Sequence, residues 1–208
     1  MSRGTTHDAT ATLPKSRWTA REAELLAVTL RMLQTSGYDG LNLQAVATEA
    51  KASKSTLYRR WPSKEELVLA AFIEGTRASE VAPCTGSLRE DLLQIGTSVC
   101  RRVSEHGSTM RAVLGELARS PALAAAFHNE FVLRRKRVFA EVIRDAVDRG
   151  EISGAEVPDD ELDDVLAGYL VFRSLVAADP PNQHTVRALV DHVLIPSLTR
   201  DWGRCPRG

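Results

Sequence analysis

The chain has 208 residues, 43% hydrophobic and 26% charged, which suits a globular protein with its own core and excludes wholesale disorder. Its 27 basic and 27 acidic side chains cancel overall, but residues 1–64 hold ten Lys/Arg against five Asp/Glu, so a head of +5 precedes a body of −5 and polyanions are expected at the head. Cys84, Cys100 and Cys205 are too scattered for a disulfide framework or a paired metal site, and the longest apolar run, Val165–Ala178, falls short of the ~20 residues that span a bilayer.

In chain order, Met1–Pro14 is rich in Thr and Ser and lacks the apolar stretch of a signal peptide, so it reads as a disordered tail on a cytoplasmic protein. The first helix opens at a capping box, Thr19-Ala-Arg-Glu22, where hydroxyl and carboxylate each satisfy an orphan backbone N–H. Leu25, Val28, Thr29, Met32 and Leu33 form its inward stripe, and Gly37 suits the residue after its last turn. A second helix follows Asn42 as N-cap, with Leu43, Val46, Ala47 and Ala50 on one face. Ser53 caps a third, running to Arg60 and stopped by Trp61-Pro62. Ser63-Lys-Glu-Glu66 opens a fourth, to about Ser79.

Pro83 and Gly86 mark a break before helix five, about Ser87–Glu105, and Gly107-Ser108 a second break before a short helix six that ends near Ala118. Ser120-Pro121 starts helix seven, expected to run to Arg149 as the longest in the chain. Ile152–Pro158 reads as a loop, Asp159–Ala178 as helix eight, and a ninth helix follows Asp179-Pro-Pro-Asn182 to about Thr199. No alternating pattern long enough for a sheet occurs, so the fold is read as all-α. The expected organisation is a three-helix helix-turn-helix domain at 15–62, a six-helix domain at 63–200, and a loose tail at 201–208.

Residues Gly37–Leu67, with Gly-Tyr, Thr-Leu-Tyr, an aromatic and Ser-Lys-Glu-Glu-Leu in order, resemble the DNA-binding signature of the TetR family of transcriptional regulators. Lys51 stands where that pattern usually has Gly, Ala52 where it has Val, and Trp61 where it more often has Phe, so the turn before helix three is expected to be slightly altered. Periodicity alone turns Lys54, Ser55, Tyr58 and Arg59 outward and Leu57 inward. The resemblance implies that Gln44, Lys54, Ser55, Thr56 and Arg59 read base edges in the major groove of a double-stranded operator, and that Tyr58 and Lys64 contact phosphates. The helix starts at Asn42 and Ser53 offer backbone N–H groups to the same anions, and Lys15 and Arg17 are candidates for a minor-groove arm.

Helix eight is apolar almost all round, so it must be buried on two sides. The resemblance implies a homodimer through the last two helices, for which Gly168, Val171, Leu175, Val186, Leu189, Val190 and Val193 are candidates. It also implies a small-molecule effector in the C-terminal domain. Leu114, Phe127, Phe131, Tyr169 and Phe172 are candidate lining and Arg111 and Arg173 candidate polar anchors, although apolar residues at this spacing equally make plain core. His184 and His192 lie about two turns apart with no third ligand nearby, so neither metal nor cofactor is expected. Two other readings stay open: a helical enzyme or carrier, against which stands the absence of any nucleophile, nucleotide or zinc motif, and a DNA-binding factor without an effector.

Overall fold

A computed structural model describes residues 17–77, 81–153, 159–177 and 179–199. All regular structure among them is helical, in chain order α1 (Ala20–Gly40), α2 (Leu43–Glu49), α3 (Lys54–Arg60), α4 (Lys64–Thr76), α5 (Leu88–Leu117), α6 (Pro121–Phe127), α7 (Leu133–Asp148), α8 (Asp159–Leu175), α9 (Gln183–Leu189) and α10 (Ile195–Thr199). A π turn at His128–Val132 joins α6 to α7 without a break, and another at Val190–Leu194 joins α9 to α10.

The local signals of the head act as read. At α1 the Thr19 side chain accepts the Glu22 backbone N–H and the Glu22 carboxylate accepts that of Thr19, closing the capping box. That hydrogen bond to backbone, followed by an ion pair with Arg60, holds the Glu22 carboxyl below its ordinary pKa. Gly37 has φ 71 and ψ 179, a region essentially closed to other residues, and it separates the long part of α1 from a final turn through Gly40. Asn42, Ser53 and Ser63 cap α2, α3 and α4.

Lys51, in the turn between α2 and α3, takes φ 50 and is the one non-glycine with positive φ among the described residues. Lys51 thus adopts the left-handed backbone that a glycine would take freely, so the substitution appears as strain at Lys51. Arg21 holds the strained turn by donating to the carbonyls of Ala50 and Lys51. A left-handed L-residue costs ~1–2 kcal/mol, of which a glycine's greater unfolded-state entropy returns about 0.4–1. Lys51→Gly is therefore expected to stabilise the fold by ~0.5–1 kcal/mol, read as a higher urea midpoint at unchanged slope; an unchanged or lower midpoint would show that the turn is not strained.

Two cores share α4. One gathers Leu25, Leu33, Val46, Leu57, Trp61 and Leu67–Ala71 of the head together with Val113 of α5 and Leu123 of α6; the other fills the body from Phe72, Leu92, Val142, Leu166, Val190 and their neighbours. A boundary drawn at residue 62 thus cuts through a continuous core, because α4 closes the head it was expected to leave.

Several expected helix boundaries change. Helices five and six are one 30-residue helix, α5, in which His106 alone departs from helical geometry (φ −128, ψ 15). The expected long helix seven is the unit α6–π turn–α7 and ends at Asp148, so α5 is the longest continuous α-helix among the described residues. Helix four stops at Thr76 and helix eight at Leu175; Ser79 and Ala178, like the loop residues 154–158 and both tails, lie outside the described residues.

Candidate nucleic-acid interface and internal cavity

The outer surface of the head is made by α3 and the start of α2. Leu57 is fully buried, while Lys54, Ser55, Thr56, Tyr58 and Arg59 around it are exposed. The anchor turns every other side chain of a two-turn helix to solvent. Ser53 Oγ accepts the Thr56 backbone N–H at 3.1 Å and lies 2.7 Å from Thr56 Oγ1, so the hydroxyls cluster at the helix start. Lys54 Nζ lies 5.6 Å from the Tyr58 ring centroid. Gln44, the second residue of α2, is also exposed, with its backbone N–H bonded to Asn42 Oδ1 at 2.8 Å.

Lys64 Nζ stands 4.6 Å over the Tyr38 ring, whose hydroxyl donates to Glu65 Oε1 at 2.7 Å. Burial and that carboxylate raise the Tyr38 pKa far above its ordinary value, so the phenol stays protonated. Arg17 is bound at 2.6 Å to Glu130 in the first π turn and lies over Trp18, tying the start of the head to the body; Lys15 lies outside the described residues.

Sequence reasoning missed the clamp that fixes α3. Arg60 donates to Glu22 Oε1 at 2.6 Å and its guanidinium sits 4.6 Å from the Trp18 ring, while Trp18 and Trp61 pack 5.5 Å apart and nearly buried. Arg60 therefore binds α3 to α1 and is unlike Arg59, which stays open. The capping box identified Glu22, but nothing local links it to a residue 38 positions later.

In the body, a cavity of about 960 Å³ opens between residues 81–84, α5, α7 and α9. Of the seven residues expected to form an effector site, only Phe131 lines it. Phe127 stacks behind Phe131 at 5.0 Å. Arg111 and Leu114 lie on the exposed face of α5, and Tyr169 and Phe172 on that of α8. Arg173 is bound to Asp179 and to the Tyr169 hydroxyl. The wall instead carries Arg89, Arg101, Arg102, Arg135 and Arg187, residues spread over three helices.

The apolar faces of the last helices also divide differently. Val186, Leu189 and Val190 are buried in the subunit's own core and are not available to a partner. Val171 and Leu175 pack against that core, half-buried. Gly168 is exposed, as are Val165, Tyr169 and Phe172 of α8 and Val176 just after it, at 41, 42, 54 and 69%, and Val193 of the second π turn is 40% exposed. A stripe at i, i+4, i+7 and i+11 thus runs unpartnered along α8.

Residues 25–71 match the family described as bacterial regulatory proteins, tetR family, and residues 82–193 match the tetracyclin repressor-like C-terminal domain. The chain belongs to the TetR family. A curated relative from Mycobacterium tuberculosis, the HTH-type transcriptional regulator Rv1556, is 58% identical over 90% of this chain and 93% of its own. The DNA-binding transcriptional repressor TetR of Mycobacteroides abscessus is 31% identical over 86% of this chain and 95% of its own. Among solved structures, the TetR family regulator SCO0332 superposes with a TM-score of 0.75 at 28% identity, covering 88% of this chain and all of that one. This TetR protein is accordingly a transcriptional regulator with a DNA-binding helix-turn-helix and an all-α fold, and it falls in a non-enzymatic class. No helix among the described residues is long and apolar enough to cross a membrane.

Proposed function

We propose that this regulator is a repressor: a homodimer grips a palindromic operator, and a small molecule in the C-terminal cavity releases it. The observation that carries the reading is the outward face of α3, where hydroxyl and cationic side chains surround one buried leucine. Lys54, Ser55, Thr56 and Arg59, with Gln44 from α2, are the base-reading groups in this scheme; Lys suits guanine acceptors and Gln suits adenine. Tyr58 and Lys64, with the capped helix starts at Asn42 and Ser53, fix register on the phosphates. Lys15 and Arg17 extend toward the minor groove once Arg17 leaves Glu130. The relative from Mycobacteroides abscessus is named a repressor, which favours repression over activation.

The apolar stripe on α8 supports dimerisation, since four large apolar side chains in a row are a surface that association would cover. With the last helix it forms a self-complementary face about a two-fold axis, which sets two α3 helices about one turn of DNA apart. Val193 and Gly168 belong to this face, whereas Val186, Leu189 and Val190 support it from within. A ligand acts by binding one spacing of the two heads better than the other.

The test is selection of bound sequences from random DNA with the full chain, followed by footprinting. An inverted repeat with half-sites about one turn apart is the expected outcome; sequence-independent binding, or a single unrepeated site, would remove the dimeric repressor reading.

A further inference from the structure

The lining of the cavity is part apolar and part basic. Ile95 and Val99 of α5 and Val138 of α7 are buried in its floor beside Phe131. Five arginines and a single carboxylate, Glu90, make up its charged lining. Arg89 and Arg135 are answered by carboxylates of the fold. Arg89 makes two hydrogen bonds, of 2.7 and 2.8 Å, to Asp191, and Arg135 is paired with Asp163 and Asp164. Asp163 is buried, which pushes its carboxyl up to about 6, so the protein bears a cost to hold Arg135 in place.

Arg101 and Arg187 are different. They reach the cavity from separate helices, α5 and α9, both exposed, and neither makes an ion pair among the described residues, although Arg187 acts at longer range on Asp191. Arg102, on the same wall, places its guanidinium 5.7 Å from the Phe131 ring. With five arginines against one carboxylate the lining carries an excess of positive charge, which attracts anions into a cleft, and guanidinium groups bind carboxylate or phosphate through two parallel hydrogen bonds. A neutral or cationic ligand would gain no charged hydrogen bond from Arg101 and Arg187.

We propose that the cavity takes an amphipathic organic anion, its carboxylate or phosphate held by Arg101 and Arg187 and its apolar body laid against Ile95, Val99, Phe131 and Val138. This rests on the cavity being the effector site and names the chemistry of that effector. The volume suits it, being at the upper end of the ~300–1,000 Å³ typical of small-molecule sites.

The experiment uses the full chain with four probes of one chain length, all below their micelle concentrations: decanoate, decyl phosphate, decanol and decylamine. Binding is read by calorimetry, and operator release separately by fluorescence anisotropy. The anions are expected to bind at least about tenfold more tightly than the alcohol and the amine, and to lose about tenfold or more in Arg101→Gln/Arg187→Gln, while the alcohol is unaffected. The preferred head group, carboxylate or phosphate, is read from the first two probes. Equal binding of the alcohol or amine, unchanged anion affinity in the double variant, or no binding by any probe would overturn the proposal. Should anions bind as expected while the operator stays bound, the anion site stands and the effector reading falls; should the alcohol alone bind and release the operator, the reverse holds.

Discussion

Phe172→Glu is expected to leave the protein monomeric in sedimentation equilibrium and to abolish tight binding to a two-half-site operator. Phe172 is 54% exposed in the isolated subunit, so the change removes little from the subunit's own core and its circular dichroism should not move. At a two-fold interface each substitution occurs twice. Losing two buried phenyl rings forfeits ~3–6 kcal/mol of transfer free energy, and two carboxylates desolvated without partners add several more. Together they exceed the ~4 kcal/mol that corresponds to a thousandfold weaker dimer. Val186→Glu, by contrast, should unfold the body, since Val186 is only 1% exposed. A Phe172→Glu protein that stays dimeric would place the interface elsewhere.

Lys54→Ala is expected to weaken operator binding ~10–100-fold and to relax the preference at one base pair, because a charged contact to a base edge is worth ~1–3 kcal/mol of discrimination. Tyr58→Phe removes a single hydroxyl, worth ~0.5–1.5 kcal/mol, and should weaken all sequences several-fold and alike. Neither side chain supports the fold, since Lys54 and Tyr58 are exposed and Leu57 provides the anchor. Titration of each variant against the selected operator and a single-base mutant series separates the two effects. Affinities equal to the parent's would show that α3 does not enter the groove.

The head was legible because its determinants are local. A hydroxyl three residues before a carboxylate, a glycine where only glycine fits, and one buried leucine among polar neighbours specify α1 to α4 within a few residues of chain. The body was less legible where the same residue type serves two ends. Gly107-Ser108 reads as a break, yet Gly107 is buried within α5, where a Cβ would come within 3.4 Å of Leu175. That is ordinary van der Waals contact, so the glycine neither ends the helix nor is required by α8, and the backbone irregularity falls on His106 instead. His106 is buried, which lowers its pKa, and its Nδ1 lies 3.2 Å from Gln34 Nε2 of α1, a contact between head and body with no trace in the sequence.

By itself the sequence determined the helical class, the order of the head's elements, its basic charge and the exposed polar face of α3, since periodicity, capping and charge act over a few residues. Tertiary structure alone decided which stripe of α8 faces out, which valines of the last helix are core, and which arginines meet around the cavity. Those outcomes depend on the rotational phase of packed helices, set by contacts between residues a hundred positions apart, such as Arg89 and Asp191, and no local pattern records that phase.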